Sequence, residues 1–293
     1  MLFRSIGEYL KPDPEPLSTQ PFAESGGYTI IDLDANQRVD VNLNNPVLSV
    51  AFGADGRALI LTRQPKSTDA DAGIVTNLFL LDPASQSLQP LQALPARSLD
   101  LGVPLAKVPT QIVQAAAGVS GDKKFIWILA SVEDDASASA QTNLIIRYEV
   151  STQSAFAGVG SSSPPAGPRS VSVDQSGATA ILDWGMLRFT AERIYSPAQF
   201  PRPNGAFNVG THAWDHNRNV IYSQIPAAGD SSVLHILDTD NLTVRQRIRL
   251  REDLSGKSIL SSDYSAMYSA SPSGVTILPV AQLPQAQQVG ATQ

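Results

Sequence analysis

One unit recurs five times along this chain: an apolar strand, a short turn of Asp, Gly, Asn or Ser, a second apolar strand, a polar loop, and a third strand that often ends in Asp. Self-similarity of this kind restricts a chain to arrays of stacked supersecondary units, because a single unit cannot bury its own apolar face. In the clearest copy, residues 47–52 (VLSVAF) pass through Gly53, Ala54, Asp55 and Gly56 into 58–61 (ALIL), and 78–83 (LFLLDP) closes the unit. The other copies turn at 120–123 (SGDK), 174–177 (DQSG), 215–218 (DHNR) and 262–265 (SDYS). These residue types fit tight hairpins because they tolerate left-handed backbone and bond to their own turn.

Third strands begin near Ile30, Leu78, Leu144, Met186, Leu234 and Val275. Their spacing lies close to the ~40–50 residues of a four-stranded propeller blade. The one longer interval, from Leu78 to Leu144, contains two insertions, 88–108 with Pro90, Pro95 and Pro104, and 132–140 (VEDDASASA). The expected fold is therefore all-β, a β-propeller of degenerate four-stranded blades, five to seven in number.

The count does not close. Six third strands accompany only five pairs of first and second strands, so the chain begins in the middle of a blade with residues 28–34 and 38–43. Either this is a truncated part of a larger propeller or its closure is unusual. The N-terminal pair is expected to dock beside 275–280, or to leave a gap that a second chain or an adjoining domain fills, since an open strand edge recruits another strand.

Residues 11–27 hold prolines at 12, 14, 16 and 21, a composition that favours an extended arm. The expected organisation is an N-terminal arm over 1–25, a propeller over 26–280, and a C-terminal strand or linker over 281–293. The chain is 42% hydrophobic and 16% charged, enough apolar material for a core. Its net charge of −6, with no basic stretch, argues against nucleic acid as a partner. There is no cysteine, which excludes disulfides and thiolate metal sites. No stretch has the ~20 apolar residues of a membrane span or the apolar core of a signal peptide.

The succession of strand, Asp-Gly-type turn, apolar strand and Asp-ended strand resembles the repeat of the Tyr-Val-Thr-Asn family of β-propellers, in the lactonase-like superfamily. The likeness covers roughly residues 26–280. The signature tetrapeptide itself is replaced by Leu59-Ile60-Leu61-Thr62, Ile126-Trp127-Ile128-Leu129, Ala180-Ile181-Leu182-Asp183, Ile221-Tyr222-Ser223-Gln224 and Met267-Tyr268-Ser269-Ala270. The resemblance implies the fold, and a bacterial protein of the cell surface, periplasm or exterior. It carries little about function, since propellers host many unrelated activities.

No nucleophile elbow, phosphate loop or dinucleotide fingerprint occurs, and no cofactor is expected. His212, Asp215 and His216 are the weak candidates for a metal, but their spacing spans a strand and its turn and does not follow one helix face. Glu133, Asp134, Asp135, Glu252 and Asp253 lack the oxygen pattern of a calcium loop and read as solvated acids. A propeller ligand sits at the channel mouth, where Arg63, Arg169, Asp183 and Trp184 are the candidates. The sequence thus favours a non-enzymatic binding or scaffold propeller for an unidentified protein or small molecule, with a lactonase-like hydrolase or isomerase as the alternative.

Overall fold

The computed structural model describes residues 2–5, 26–43, 45–63, 77–95, 111–133, 141–160, 169–190, 194–200, 211–224, 232–254 and 257–283. Their strands form six sheets arranged as a β-propeller. The first blade holds β1 (Leu2–Ser5), β2 (Gly27–Asp32) and β3 (Gln37–Asn42). The second is the meander β4 (Val47–Phe52), β5 (Ala58–Thr62), β6 (Leu78–Asp82) and β7 (Ser87–Leu91). The third holds β9 (Gln111–Val119), β10 (Phe125–Glu133), β11 (Gln141–Glu149) and β12 (Ser154–Gly160), and β8 (Ala93–Pro95) adds a parallel strand beside β12.

The fourth blade is β13 (Ser172–Val173), β14 (Thr179–Leu182), β15 (Gly185–Phe189) and β16 (Ile194–Gln199). The fifth is β17 (Thr211–Asp215), β18 (Val220–Gln224), β19 (Val233–Asp238) and β20 (Val244–Arg249). The sixth has β21 (Ser258–Leu260), β22 (Met267–Ser271) and β23 (Gly274–Leu278), followed by a 3₁₀ turn, Val280–Gln282. Part of the expected N-terminal arm is in the sheet, because Leu2–Ser5 pairs antiparallel with β2. Residues 6–25 and 284–293 lie outside the described residues.

The recurring acids are turn residues. Between first and second strands, Asp55, Asp122, Asp215 and Asp263 each accept the backbone N–H two or three residues on, and Asp174 accepts that of Thr179. After the third strands, Asp32, Asp82 and Asp238 do the same. Each supplies an acceptor to a turn N–H that no strand partner reaches. This is why the repeat ends in Asp.

The core lies between blades. Tyr28 and Ile30 pack on Ala58, Ile60 and Leu81, and Leu59, Leu61 and Leu78 pack on Ile126, Ile128 and Ile146. Trp127, Ile145, Ile181, Met186, Ile221 and Leu237 form a layer spanning the third to fifth blades. Tyr222, Leu234, Met267 and Val280 join the fifth and sixth. Among the described residues no such cluster joins the sixth blade to the first. The outer face of the sixth blade exposes Ile259 at 60%, Val275 at 68% and Ile277 at 60%.

Candidate functional site

In every blade that opens with a first strand, that strand starts and the second ends at the same end of the ring. Val47 opposes Thr62, Ser172 opposes Ile181, Thr211 opposes Gln224 and Ser258 opposes Ser269. Successive first strands lie side by side around the axis. They enclose a cavity of about 600 Å³ bordered by β4, β9, the approach to β13 and the start of β21. The topology therefore brings together residues far apart in sequence at one mouth.

Arg169 borders this cavity. Its Nη1 donates to Asp183 Oδ2 at 2.8 Å and its Nε to Ser131 Oγ at 2.7 Å, while Ser170 N donates to Asp183 Oδ1 at 2.7 Å. Burial pushes the Asp183 carboxyl up to about 6, against the pull of the neighbouring Arg169 guanidinium. Two of the residues singled out from the sequence are thus one ion pair. Trp184 lies in the inter-blade core at 4% exposure. Arg63 follows β5 at the same mouth, where its backbone is tied to Pro46 and Asn77.

Lys257 was not apparent from the sequence. It is exposed and borders the cavity beside Ser258. A signal was present: Arg169-Ser170-Val171 and Lys257-Ser258-Ile259 both place a cation, a serine and a β-branched residue at the opening of a repeat. Gln114, exposed on β9, and Ser49, buried on β4, complete the polar lining. Ser49 Oγ has no hydrogen-bond partner among the described residues. Arg169 and Lys257 are the only charged residues in the described lining, and both are cations.

The histidine group does not converge. His212 and Asp215 point to opposite faces of β17, as an odd spacing on a strand requires. His212 Nδ1 lies 2.8 Å from Ser172 Oγ, and complete burial pushes its pKa down to about 3. Asp215 accepts from Arg218 at 2.7 Å and Tyr222 at 3.1 Å, and His216 Nδ1 faces Gln175 Oε1 at 3.0 Å. Glu252 accepts from Ser271 and Thr276, and Asp253 from Gln224 and Ser232, so both acids tie loops. Asp134 and Asp135 lie outside the described residues. Among the described residues no group of three or more His, Cys, Asp or Glu is placed to hold a metal ion.

No protein-family profile matches the chain. No curated protein matches it either. Solved structures do. The β-propeller domain of Swd1 from Myceliophteria thermophila is 11% identical with a TM-score of 0.53, covering 87% of this chain and 77% of that one. A regucalcin from Agrobacterium tumefaciens, described as a calcium-binding protein, is 13% identical with a TM-score of 0.44, covering 84% and 74%. TolB from Acinetobacter baumannii is 12% identical with a TM-score of 0.47, covering 86% and 57%. The likeness to the Swd1 domain is one of fold.

Proposed function

We propose that this chain is a non-enzymatic binding propeller whose ligand occupies the axial cavity at the mouth formed by Arg169, Ser170, Lys257 and Ser258. The observation that carries this reading is the make-up of the lining. A ligand pocket combines an apolar wall with a few placed polar groups, and here valines and alanines of β4 and β9 stand beside Gln114, three serines and two cations. A hydrolytic site asks for a nucleophile or water held by convergent acids, bases or a metal. In the described lining hydroxyls, an amide and cations take those places.

The test is a thermal-shift screen of small organic molecules, followed by calorimetry on the hits and by turnover assays on a panel of lactones. A ligand at a hundred times its dissociation constant stabilises the folded state by about 2.7 kcal/mol, a shift easily seen in melting. Binding lost in Gln114→Trp, which fills the cavity from an exposed position, supports the reading. Lactone turnover in the absence of any stabilising ligand overturns it in favour of the hydrolase.

A further inference from the structure

Building on the axial-cavity reading, we propose that the ligand is an amphiphilic organic anion, with its acidic head between Lys257 and Arg169 and its apolar body running down the axis. The chain as a whole carries a net charge of −6, yet the described residues bordering the cavity include no carboxylate, and with Arg169 paired to Asp183 behind the lining Lys257 supplies the net positive charge at neutral pH. A cleft of one sign, walled by low-dielectric protein, concentrates ligands of the opposite sign. Lys257 forms no ion pair with any described residue. Arg169 uses Nε and Nη1 on Ser131 and Asp183, and its Nη2 has no partner among the described residues.

Neutral donors reinforce the head site. Ser49 borders the cavity and is more than nine-tenths buried, and its Oγ is sealed from solvent with no hydrogen-bond partner among the described residues. A buried hydroxyl in that state is stabilised by any ligand oxygen that reaches it. Gln114 adds an amide from the facing strand.

The polarity runs along the axis. Arg169 and Lys257 stand where first strands begin, whereas Val50, Phe52 and Ala117 lie further along β4 and β9 toward the turn end. An inorganic anion would use only the first of these regions. A molecule with a carboxylate or phosphate on an aliphatic or aromatic body uses both.

Titration calorimetry with octanoate, octanol and acetate on the full chain separates the terms. Octanoate is expected to bind at least about ten-fold more tightly than either octanol or acetate, and less tightly at high salt than at low. Lys257→Gln should weaken octanoate by about five-fold or more while leaving octanol and the melting temperature unchanged, and Lys257→Arg should retain binding. Equal affinity for octanol and octanoate, lost in Gln114→Trp, overturns the anionic class and keeps the cavity reading. Acetate binding as tightly as octanoate overturns the amphiphile. No binding by any probe, or octanoate binding indifferent to Gln114→Trp in a folded variant, overturns both.

Discussion

Arg169 donates through Nη1 to Asp183 Oδ2 at 2.8 Å, and the two side chains are 2% and 0% exposed. One precedes the first strand of the fourth blade and the other follows its second, so the pair seals the mouth end of that blade. The Nε bond to Ser131 extends the seal to the third blade. Removing one member of a buried pair leaves the other charge stranded, at a cost of about 3–5 kcal/mol. Arg169→Met, which strands the Asp183 carboxylate, is therefore expected to lower the melting temperature at pH ~7.5 by roughly 6–20 °C, at about 2–4 °C per kcal/mol for a chain of this size. Adding Asp183→Asn should recover part of the loss, because it removes the stranded carboxylate. Thermal melting of the two variants checks this, and a shift below about 1 °C in Arg169→Met would refute the sealed pair.

The same pair makes anion binding depend on pH. Burial places the Asp183 carboxyl at about 6, and Arg169 is the charged group that faces it. Above that value the carboxylate cancels the guanidinium; below it Asp183 is neutral and Arg169 presents a full charge to the cavity. Octanoate affinity should rise several-fold as pH falls from ~7.5 to ~5.5, where the probe itself remains ionised. Asp183→Asn should be flat over that range and tight throughout. A wild-type profile without slope sinks the idea.

Acid sensitivity of the fold should run mainly through His212. Its pKa is about 3 in the folded chain, below the ~6.5 of an unfolded one. A depressed pKa gives stability that is complete above ~6.5 and lost as pH falls toward 3, with a limiting slope of about 1.4 kcal/mol per pH unit. Asp183 works in the other sense. Its raised pKa favours the folded state at low pH, and that contribution disappears as pH climbs from ~4 to ~6. Between those values the two partly cancel, and below ~4 the loss from His212 is joined by that from hydrogen-bonded carboxylates held below their ordinary range, Asp40, Asp82, Asp122, Asp238, Glu252 and Asp263. His212→Asn, which keeps an acceptor toward Ser172 Oγ, should flatten urea midpoints measured from pH ~6.5 down to ~3.5. Parallel profiles for wild type and variant would show that another group controls acid unfolding.

The parts of this fold that follow from local chemistry were legible in the sequence. Turn acids such as Asp55 and Asp174 announce themselves because a hairpin needs an acceptor near its own N–H groups, and third strands announce themselves by the Asp that ends them. The strands β2 and β3 of the N-terminal blade were visible for the same reason. The strand β1 was not, since its four residues precede a proline-rich stretch and gain a partner only through the sheet. The site was legible in part. Arg169 and Asp183 could be placed near a mouth, but their pairing depends on strand ends meeting across one blade. Lys257 reaches the mouth because first strands gather around one axis, a relation that leaves no periodic trace beyond the repeated cation-Ser-β-branched opening. Trp184 was ambiguous because it adjoins Asp183 in sequence, and one peptide step takes it from the mouth into the inter-blade core.

Gly177 should tolerate no side chain. Its φ is +75°, a conformation that L residues rarely adopt, and a Cβ there would strike the Phe125 ring. Its carbonyl also accepts Trp127 Nε1 at 3.0 Å and Arg147 Nε at 3.3 Å, while the Arg147 guanidinium lies 4.0 Å from the Phe125 centroid and 4.1 Å from that of Phe189. One turn thus anchors an indole and a cation held between two rings across the third and fourth blades. Gly177→Ala is expected to cost about 3 kcal/mol, the sum of left-handed strain and overpacking. Gly56, with φ +77° and open space around it, isolates the backbone part, and Gly56→Ala should cost only about 1–2 kcal/mol. Equal losses in denaturant unfolding would show that the Phe125 contact does not matter.

The outward face of the sixth blade should be dispensable for folding. Tyr268 opposes Ile259 and Ile277 across β22, and on the reverse face Met267 is sealed at 0% exposure against the fifth blade. Among the described residues no apolar cluster joins this face to the first blade. Its Val39 and Val41 face the second blade, and on its other side Thr29 and Arg38 bond to Asp40. Apolar area that remains in water contributes nothing to the folding free energy. Replacing Ile259, Val275 and Ile277 together by Thr should therefore move the melting temperature by less than about 3 °C, with strand propensity largely preserved by the β-branched substitute. Met267→Ala, by contrast, should cost about 2–5 kcal/mol. If the triple variant melts as low as Met267→Ala at protein concentrations where the chain is monomeric, this face is buried in the folded chain and the ring closes on itself.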